Sequence, residues 1–146
     1  MIVDAQLLFS DEQRVCDGAA TELSTNVVDF NVIRDLGAGE NLYWHILMIE
    51  IPAGTGTTLE FRLVTDDNAS LTTPATILSS GAIAKATLVA KYKLTFVLPR
   101  SAAWERYVGV NYVGDNTFAT TGKVSSWLSM GEQDNKVYAD NITITG

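Results

Sequence analysis

The sequence has few of the residues that carry most protein chemistry. Its 146 residues include one cysteine and one histidine, and 18% of them are charged, below the usual share of about 25%. A single thiol cannot form an internal disulfide, so the fold does not depend on an oxidising compartment. A structural zinc site needs three or four histidine, cysteine or carboxylate ligands, and this chain has one histidine and one cysteine. We therefore expect neither a metal nor another cofactor.

Long apolar runs are also missing. The longest, between Leu42 and Ile51, is interrupted by His45 and is far shorter than the ~20 residues of a membrane span. The N-terminus has no basic region followed by a long apolar stretch, so no signal peptide is expected. The formal net charge of -7 repels phosphate backbones and anionic lipid headgroups. These features predict a protein made in the cytoplasm that binds neither nucleic acid nor membranes.

The strongest pattern in the chain is a pair of extended runs between Asn41 and Asp67. In the second run, apolar and polar residues alternate from Leu59 to Leu63, which is the period of a strand with one buried face. The first run, from Leu42 to Ile51, is apolar at both alternating sets of positions, which indicates a strand that is central in its sheet or covered by a neighbour. Proline, glycine and threonine between the runs favour a turn. We predict a central hairpin.

Shorter strand patterns occur along the whole chain, and no amphipathic helix alternates with them, which disfavours a parallel α/β sheet. One helical turn is predicted after Ser10, because Ser10 and Gln13 have the spacing of a capping box. About eight strands in one domain, residues 1–146, predict an all-β fold, a jelly roll of two antiparallel sheets with extended termini. The further strand candidates are residues 2–9, 26–30, 75–78, 91–98, 106–113, 123–130, 137–138 and 142–145.

No catalytic constellation is present, and we predict that the protein is not an enzyme. His45 lies in a strand among apolar residues, where a partly buried histidine with a hydrogen-bonded ring is the common role. Cys16 and His45 could form a nucleophile–base pair, but no local motif supports it. The acidic turns near Asp66, Asp115 and Glu132 could ligate calcium, but they lack the spaced ligands of a calcium loop.

The first forty residues resemble a known family. Residues 4–13 (D-A-Q-L-L-F-S-D-E-Q), 24–29 (S-T-N-V-V-D) and 35–39 (D-L-G-A-G) resemble the opening of the capsid cement, or decoration, proteins of tailed bacteriophages, of the Bordetella-phage type. The resemblance implies a jelly-roll homotrimer on the outer surface of the virion, assembled in the host cytoplasm. It implies that the protein binds across neighbouring major capsid subunits and stabilises the shell. It carries over no catalytic residue and assigns no role to Cys16.

The two chain ends are the candidate contact segments. Residues 1–9 form either an N-terminal arm or the first strand, and residues 139–146 likewise form either an arm or part of a sheet of their own domain. An arm can add a strand to the sheet edge of a neighbour, whereas a strand would complete a sheet of its own domain. The apolar side chains that we predict at such an interface are Ile2, Leu7, Leu8, Phe9, Val137, Tyr138, Ile142 and Ile144.

A carbohydrate-binding β-sandwich on the phage surface is the alternative function. Trp44, Trp104 and Trp127 could line a sugar site, although large aromatic residues usually serve the core or an interface. An exposed row of tryptophans on one sheet face would favour this alternative. A cupin-type enzyme ranks last, because the histidines that its metal needs are missing.

Overall fold

The computed structural model describes residues 4–31, 41–118 and 121–131. These residues form ten strands and two short 3-10 helices at Ala5–Leu7 and Lys85–Thr87. None of the described helices is long and apolar enough to cross a bilayer. The strands are β1 (Leu8–Arg14), β2 (Thr21–Leu23), β3 (Val28–Asp29), β4 (Leu42–Ala53), β5 (Thr58–Asp66), β6 (Ala75–Ser79), β7 (Ile83–Ala84), β8 (Lys93–Val97), β9 (Tyr107–Gly114) and β10 (Thr121–Met130).

The strands form two antiparallel sheets that pack face to face. The four-stranded sheet has the order β1-β10-β4-β8. In the six-stranded sheet, β9 and β5 pair with each other at the centre. Strands β2 and β3 pair with the other edge of β9, and β6 and β7 pair with the other edge of β5. Because β2 and β3 share one partner, and β6 and β7 another, the ten strands fill eight positions. We number these positions 1 to 8 along the chain, with β2 and β3 together as position 2 and β6 and β7 together as position 5. The positions then run 1-8-3-6 in one sheet and 2-7-4-5 in the other, which is the strand order of a jelly roll. The predicted all-β sandwich is confirmed.

The predicted central hairpin is wrong. Strands β4 and β5 are consecutive, but β4 pairs with β10 and β8, whereas β5 pairs with β9, β6 and β7. Residues 54–57 therefore carry the chain from one sheet to the other. A Cβ at Gly56 would come within 2.5 Å of the Phe118 ring, so glycine permits the close approach at this crossing. Alternation reveals which face of a strand is buried, but it does not reveal which strand lies beside it.

The predicted helical turn after Ser10 is also wrong. Ser10 lies in β1, which pairs with β10 through two register shifts. Glu12 has a left-handed φ of 46°, a conformation that interrupts a right-handed helix and accompanies a β-bulge. Ser10 and Gln13 do meet, since the Ser10 hydroxyl donates to Gln13 Oε1 at 2.6 Å. The spacing thus identifies a real contact, which lies across an irregular strand.

A polar bridge centred on Tyr112 crosses the core between the sheets. Tyr112 of β9 is fully buried, and its hydroxyl oxygen lies 2.7 Å from Ser10 Oγ of β1. The Tyr112 hydroxyl also hydrogen-bonds to Ser126 of β10. The Oγ of Ser126 in turn accepts a hydrogen bond from Trp44 Nε1 of β4 at 2.8 Å. Burial raises the pKa of Tyr112 above its ordinary value, so the phenol stays protonated. The bridge links β9 to three of the four strands of the opposite sheet.

Replacing Tyr112 with phenylalanine should lower the free energy of unfolding by about 1–3 kcal/mol, because the buried hydroxyls of Ser10 and Ser126 lose a partner. Tyr107→Phe is the matched control. Tyr107 lies on the same strand and is half-buried, so the loss of its hydroxyl should change the free energy by less than about 0.5 kcal/mol. Urea unfolding measures both variants. Equal stability of the Tyr112 variant and the wild type would show that the bridge contributes nothing.

Candidate functional site

His45 lies on the outer face of the four-stranded sheet and is fully buried. Strand β4 directs Trp44 and Ile46, its neighbours in sequence, into the core, so alternation places His45 on the opposite side. Its ring nitrogens contact Thr95 Oγ1 (Nδ1, 3.1 Å) and Ser129 Oγ (Nε2, 2.7 Å). The sequence predicts a partly buried histidine with a hydrogen-bonded ring. The ring is hydrogen-bonded as predicted, but the side chain is completely buried.

The contact between His45 and Ser129 is not a catalytic dyad. Ser129 Oγ donates its single proton to the carbonyl oxygen of Gly131 at 2.7 Å. It must therefore accept the hydrogen bond from His45 Nε2. A general base would present an unprotonated nitrogen to the serine hydroxyl, which is the reverse arrangement.

Cys16 is buried on the other side of the four-stranded sheet. Its Sγ lies in the core, 3.3 Å from the carbonyl oxygen of Ala20 and 3.5 Å from that of Tyr112. Burial raises the pKa of the Cys16 thiol to about 11, so the thiol is neutral at physiological pH. Because His45 is on the outer face, the structure does not bring the two side chains together as a nucleophile–base pair.

The Cys16 thiol should not react with DTNB at pH 8 in the folded protein, and one equivalent should react after unfolding in guanidinium chloride. Since the folded-state pKa lies above the unfolded value near 9, the contribution of the thiol to stability should be constant below about pH 9 and be lost between about pH 9 and 11. Absorbance at 412 nm measures the reaction, and melting curves measure the stability. Complete reaction of the native protein within minutes would contradict the burial of the thiol.

The acidic side chains of the described turns hydrogen-bond to loop backbone, Asp115 to the end of the segment between β4 and β5 and Asp66 to its own loop. Asp115 accepts hydrogen bonds from the Thr57 hydroxyl, from the Thr57 N–H at 2.7 Å and from the Thr58 N–H at 3.0 Å. These hydrogen bonds lower the pKa of Asp115 to about 2, and the bond from the Thr57 hydroxyl has the largest effect. Asp66 likewise accepts from two backbone N–H groups of its own loop. Within the described ranges, no three histidine, cysteine or acidic side chains are grouped to hold a metal ion; the turn at 132–135 lies outside them.

Asp115→Asn should lower the melting temperature at pH 7 and flatten the fall in stability at acid pH. The wild-type carboxylate has a depressed pKa of about 2, so its contribution is complete above about pH 5 and disappears between about pH 4 and 2. Some acid dependence should remain in the variant, because the Arg106 guanidinium holds the pKa of Asp29 at about 2 as well.

Asp11→Asn is the control for the Asp115 variant, since it removes the same charge from an exposed position in β1. Melting temperatures between pH 2 and 7 compare the two variants with the wild type. If Asp115→Asn and Asp11→Asn gave the same curves, the hydrogen bonds at Asp115 would have no special role.

The three tryptophans are all buried. Trp44, Trp104 and Trp127 are at most 3% exposed, and Trp44 stacks on Phe96 with ring centroids 5.4 Å apart. A sugar-binding platform needs exposed aromatic faces, and the described strands present no such row of tryptophans. The feature that would favour a carbohydrate-binding module is therefore missing from this part of the chain.

The predicted N-terminal contact residues pack within their own domain. Phe9 is fully buried in the core, Leu7 packs against that core, and Leu8 is half-buried opposite Trp127 of β10. Phe9 is thus not available to a neighbouring subunit, and Leu8 and Phe9 belong to the first strand. A contact role for Leu7 and Leu8 stays a prediction. The other predicted contact residues lie outside the described residues: Ile2, Val137, Tyr138, Ile142 and Ile144.

The exposed large apolar side chains of the described residues lie in strands of the four-stranded sheet or just before one, which sequence reasoning missed. Ile51 of β4 and Val97 of β8 are 49% and 50% exposed, Met130 at the end of β10 is 72% exposed, and Val89 precedes β8. Val97 and Met130 lie at the end of the sheet where Tyr43 and Leu42 begin β4, whereas Ile51 lies near the other end of that strand. The sequence does contain a signal: both alternating sets of β4 are apolar, although the core needs only one of them.

Comparison with known proteins places the chain in a family. No curated protein matches the sequence. The model of the family described as Bbp16 matches residues 9–128, which is more than four-fifths of the chain and far more than the N-terminal stretch that carries the sequence resemblance. The family name denotes a Bordetella phage protein. The chain therefore belongs to the Bbp16 family of phage proteins.

Proposed function

We propose that the protein is a capsid cement protein, which binds the outside of an icosahedral phage head across neighbouring major capsid subunits and stabilises the shell. The observation that carries the proposal is the match to a phage protein family over residues 9–128. The resemblance of the first forty residues to cement proteins supports the same function. The proposed role is structural and needs no catalysis.

Cement proteins act by linkage. A protein that binds the assembled shell, and not the separated subunits, makes the assembled state more stable by mass action. Many copies around one shell multiply a modest contact. Each copy must be rigid, because a flexible copy would lose part of its binding free energy to ordering on the shell. The jelly roll and its buried Tyr112 bridge supply such a body.

The surface of the protein also suits adhesion. The exposed apolar side chains lie at the four-stranded sheet, while charged pairs such as Glu60–Arg62 lie on the six-stranded sheet. A two-sided body of this kind can attach by one face and present the other to solvent. We propose that the shell and the neighbouring copies of the protein divide the apolar side between them.

The purified protein should be a homotrimer. Sedimentation equilibrium at micromolar concentration should give three times the chain mass of 15.8 kDa. Added to expanded phage heads that lack it, the protein should pellet with the heads and raise the temperature at which they dissociate. An acidic jelly-roll protein of similar mass and unrelated origin is the control. A monomer at all concentrations that does not pellet with heads would contradict the proposed function.

A further inference from the structure

Strand β8 forms the most regular edge of the described sandwich. It is the last strand of the four-stranded sheet, and its five residues pair with β4 without a register shift. The opposite edge strand, β1, pairs through two register shifts, and β6 of the other sheet pairs through one. The remaining described edge strands, β2, β3 and β7, have two or three residues each. A regular edge can take a further strand, whereas bulged or very short edges resist this.

The backbone polar groups of Thr95 and Val97 point away from β4. The N–H of Leu98 donates to the carbonyl oxygen of Leu42 at 2.9 Å, so these two residues form a hydrogen-bonded pair. Such pairs alternate with non-hydrogen-bonded pairs along an antiparallel ladder, and the next pair in register joins Tyr43 to Val97. The N–H and C=O groups of Val97, and those of Thr95 two residues before it, therefore face the outer edge. Within the described sheets, no strand lies on that side of β8.

An exposed apolar side chain accompanies this edge. Val97 is 50% exposed. Of the described edge strands, β8 is the one that carries a large apolar residue with such exposure. Outward backbone groups beside an exposed apolar side chain favour the addition of a strand from another chain.

Residues 137–145 have the sequence pattern of a strand that suits this edge. They read V-Y-A-D-N-I-T-I-T, and apolar and polar side chains alternate from Ile142 to Thr145, which is the period of a strand. The segment lies outside the described residues. The edge of β8 and a strand of this kind are complementary, because each supplies the backbone donors and acceptors that the other lacks.

We propose that the outer edge of β8 accepts residues 137–145 of a neighbouring copy of the chain as a fifth strand. The inference rests on the proposed homotrimer and names the two surfaces that build it. A ring of three copies needs a heterologous contact, in which two different surfaces of the chain meet. A strand donor and an edge acceptor are such a pair, and three of these contacts close the ring. Main-chain hydrogen bonds supply the affinity, and Val97 supplies an apolar contact.

Two other uses of the β8 edge would give different assemblies. If the edge met the β8 edge of a second copy across a two-fold axis, the contact would be isologous and the product would be a dimer. If residues 137–145 paired with β8 of their own chain, the edge would be occupied within each copy and would link no copies. An exchange between copies makes the trimer depend on both the edge and the segment.

Val97→Pro in the full-length protein tests the acceptor edge. Proline removes the outward N–H while the hydrogen bonds of β8 to β4 remain, and it is tolerated at such edge positions. The dissociation constant of the trimer should rise at least about tenfold, because each contact loses a backbone hydrogen bond and meets the proline ring. Val97→Thr is the matched control: it keeps the N–H and nearly the same shape, so it should remain a trimer. Sedimentation velocity measures the assembly.

A second acceptor variant keeps the test independent of any effect of proline on folding. Val97→Lys retains the whole backbone and places a charge on the edge, which opposes strand pairing. It should weaken the trimer as Val97→Pro does. Melting temperatures within a few degrees of the wild-type monomer domain show that a variant is folded.

Ile142→Asp with Ile144→Asp tests the donor segment. Two carboxylates on the apolar side of the added strand should leave the protein monomeric at micromolar concentration. Ala69→Asp with Thr72→Asp is the control, because it makes the same change in net charge at exposed positions of a loop. The control should remain a trimer.

A mixture of the two monomeric variants separates a heterologous contact from a two-fold one. The Ile142 and Ile144 variant keeps an intact β8 edge, and the Val97→Pro variant keeps an intact donor segment, so one contact can form between them. The mixture should therefore sediment at high micromolar concentration with twice the chain mass of 15.8 kDa, while each variant alone stays a monomer. A two-fold contact between β8 edges would give no complex in this mixture.

The outcomes keep this contact distinct from the proposed function. A wild type that is monomeric at all concentrations would overturn the homotrimer and this contact together, while its binding to phage heads is measured separately. A wild-type trimer that persists in both Val97 variants and in the Ile142 and Ile144 variant would show that the contact lies elsewhere. A donor variant that stays trimeric but melts at a lower temperature would show that the segment pairs within its own chain, which also contradicts the proposal.

Discussion

The hydrogen bonds of Tyr112 fix how the two sheets lie on each other, and every outer surface depends on that arrangement. Apolar faces alone can slide over one another, because hydrophobic contact is not directional. A buried hydroxyl with two partners is directional, and an unsatisfied one is costly. Tyr112 meets Ser10 and Ser126 of the opposite sheet, and its ring packs edge-on against Phe61 with centroids 5.9 Å apart. The sheets are therefore locked in one register.

The fixed sandwich has two unlike outer sides. The six-stranded sheet carries paired charges, such as Arg106 with Asp29, which satisfy each other at 2.8 Å. The four-stranded sheet carries exposed apolar side chains, such as Ile51 and Val97. The histidine and the cysteine, which would be the first candidates for chemistry, are buried and hydrogen-bonded.

Much of the fold could be predicted from the sequence, because strand alternation records burial directly. The candidate strands at 91–98, 106–113 and 123–130 match β8, β9 and β10 closely. The hairpin of β4 and β5 could not be excluded, since the two strands of a jelly-roll crossing alternate just as paired strands do. The helix after Ser10 was wrong because a bulge at Glu12 brings Ser10 and Gln13 together.

The most direct measurement is a cryo-EM map of the phage particle that carries this protein. The account predicts jelly-roll density on the outside of the head, in groups of three, with the four-stranded sheet toward the shell and the six-stranded sheet toward solvent. Density for this fold in the tail or inside the head, and none on the outer shell, would contradict the account.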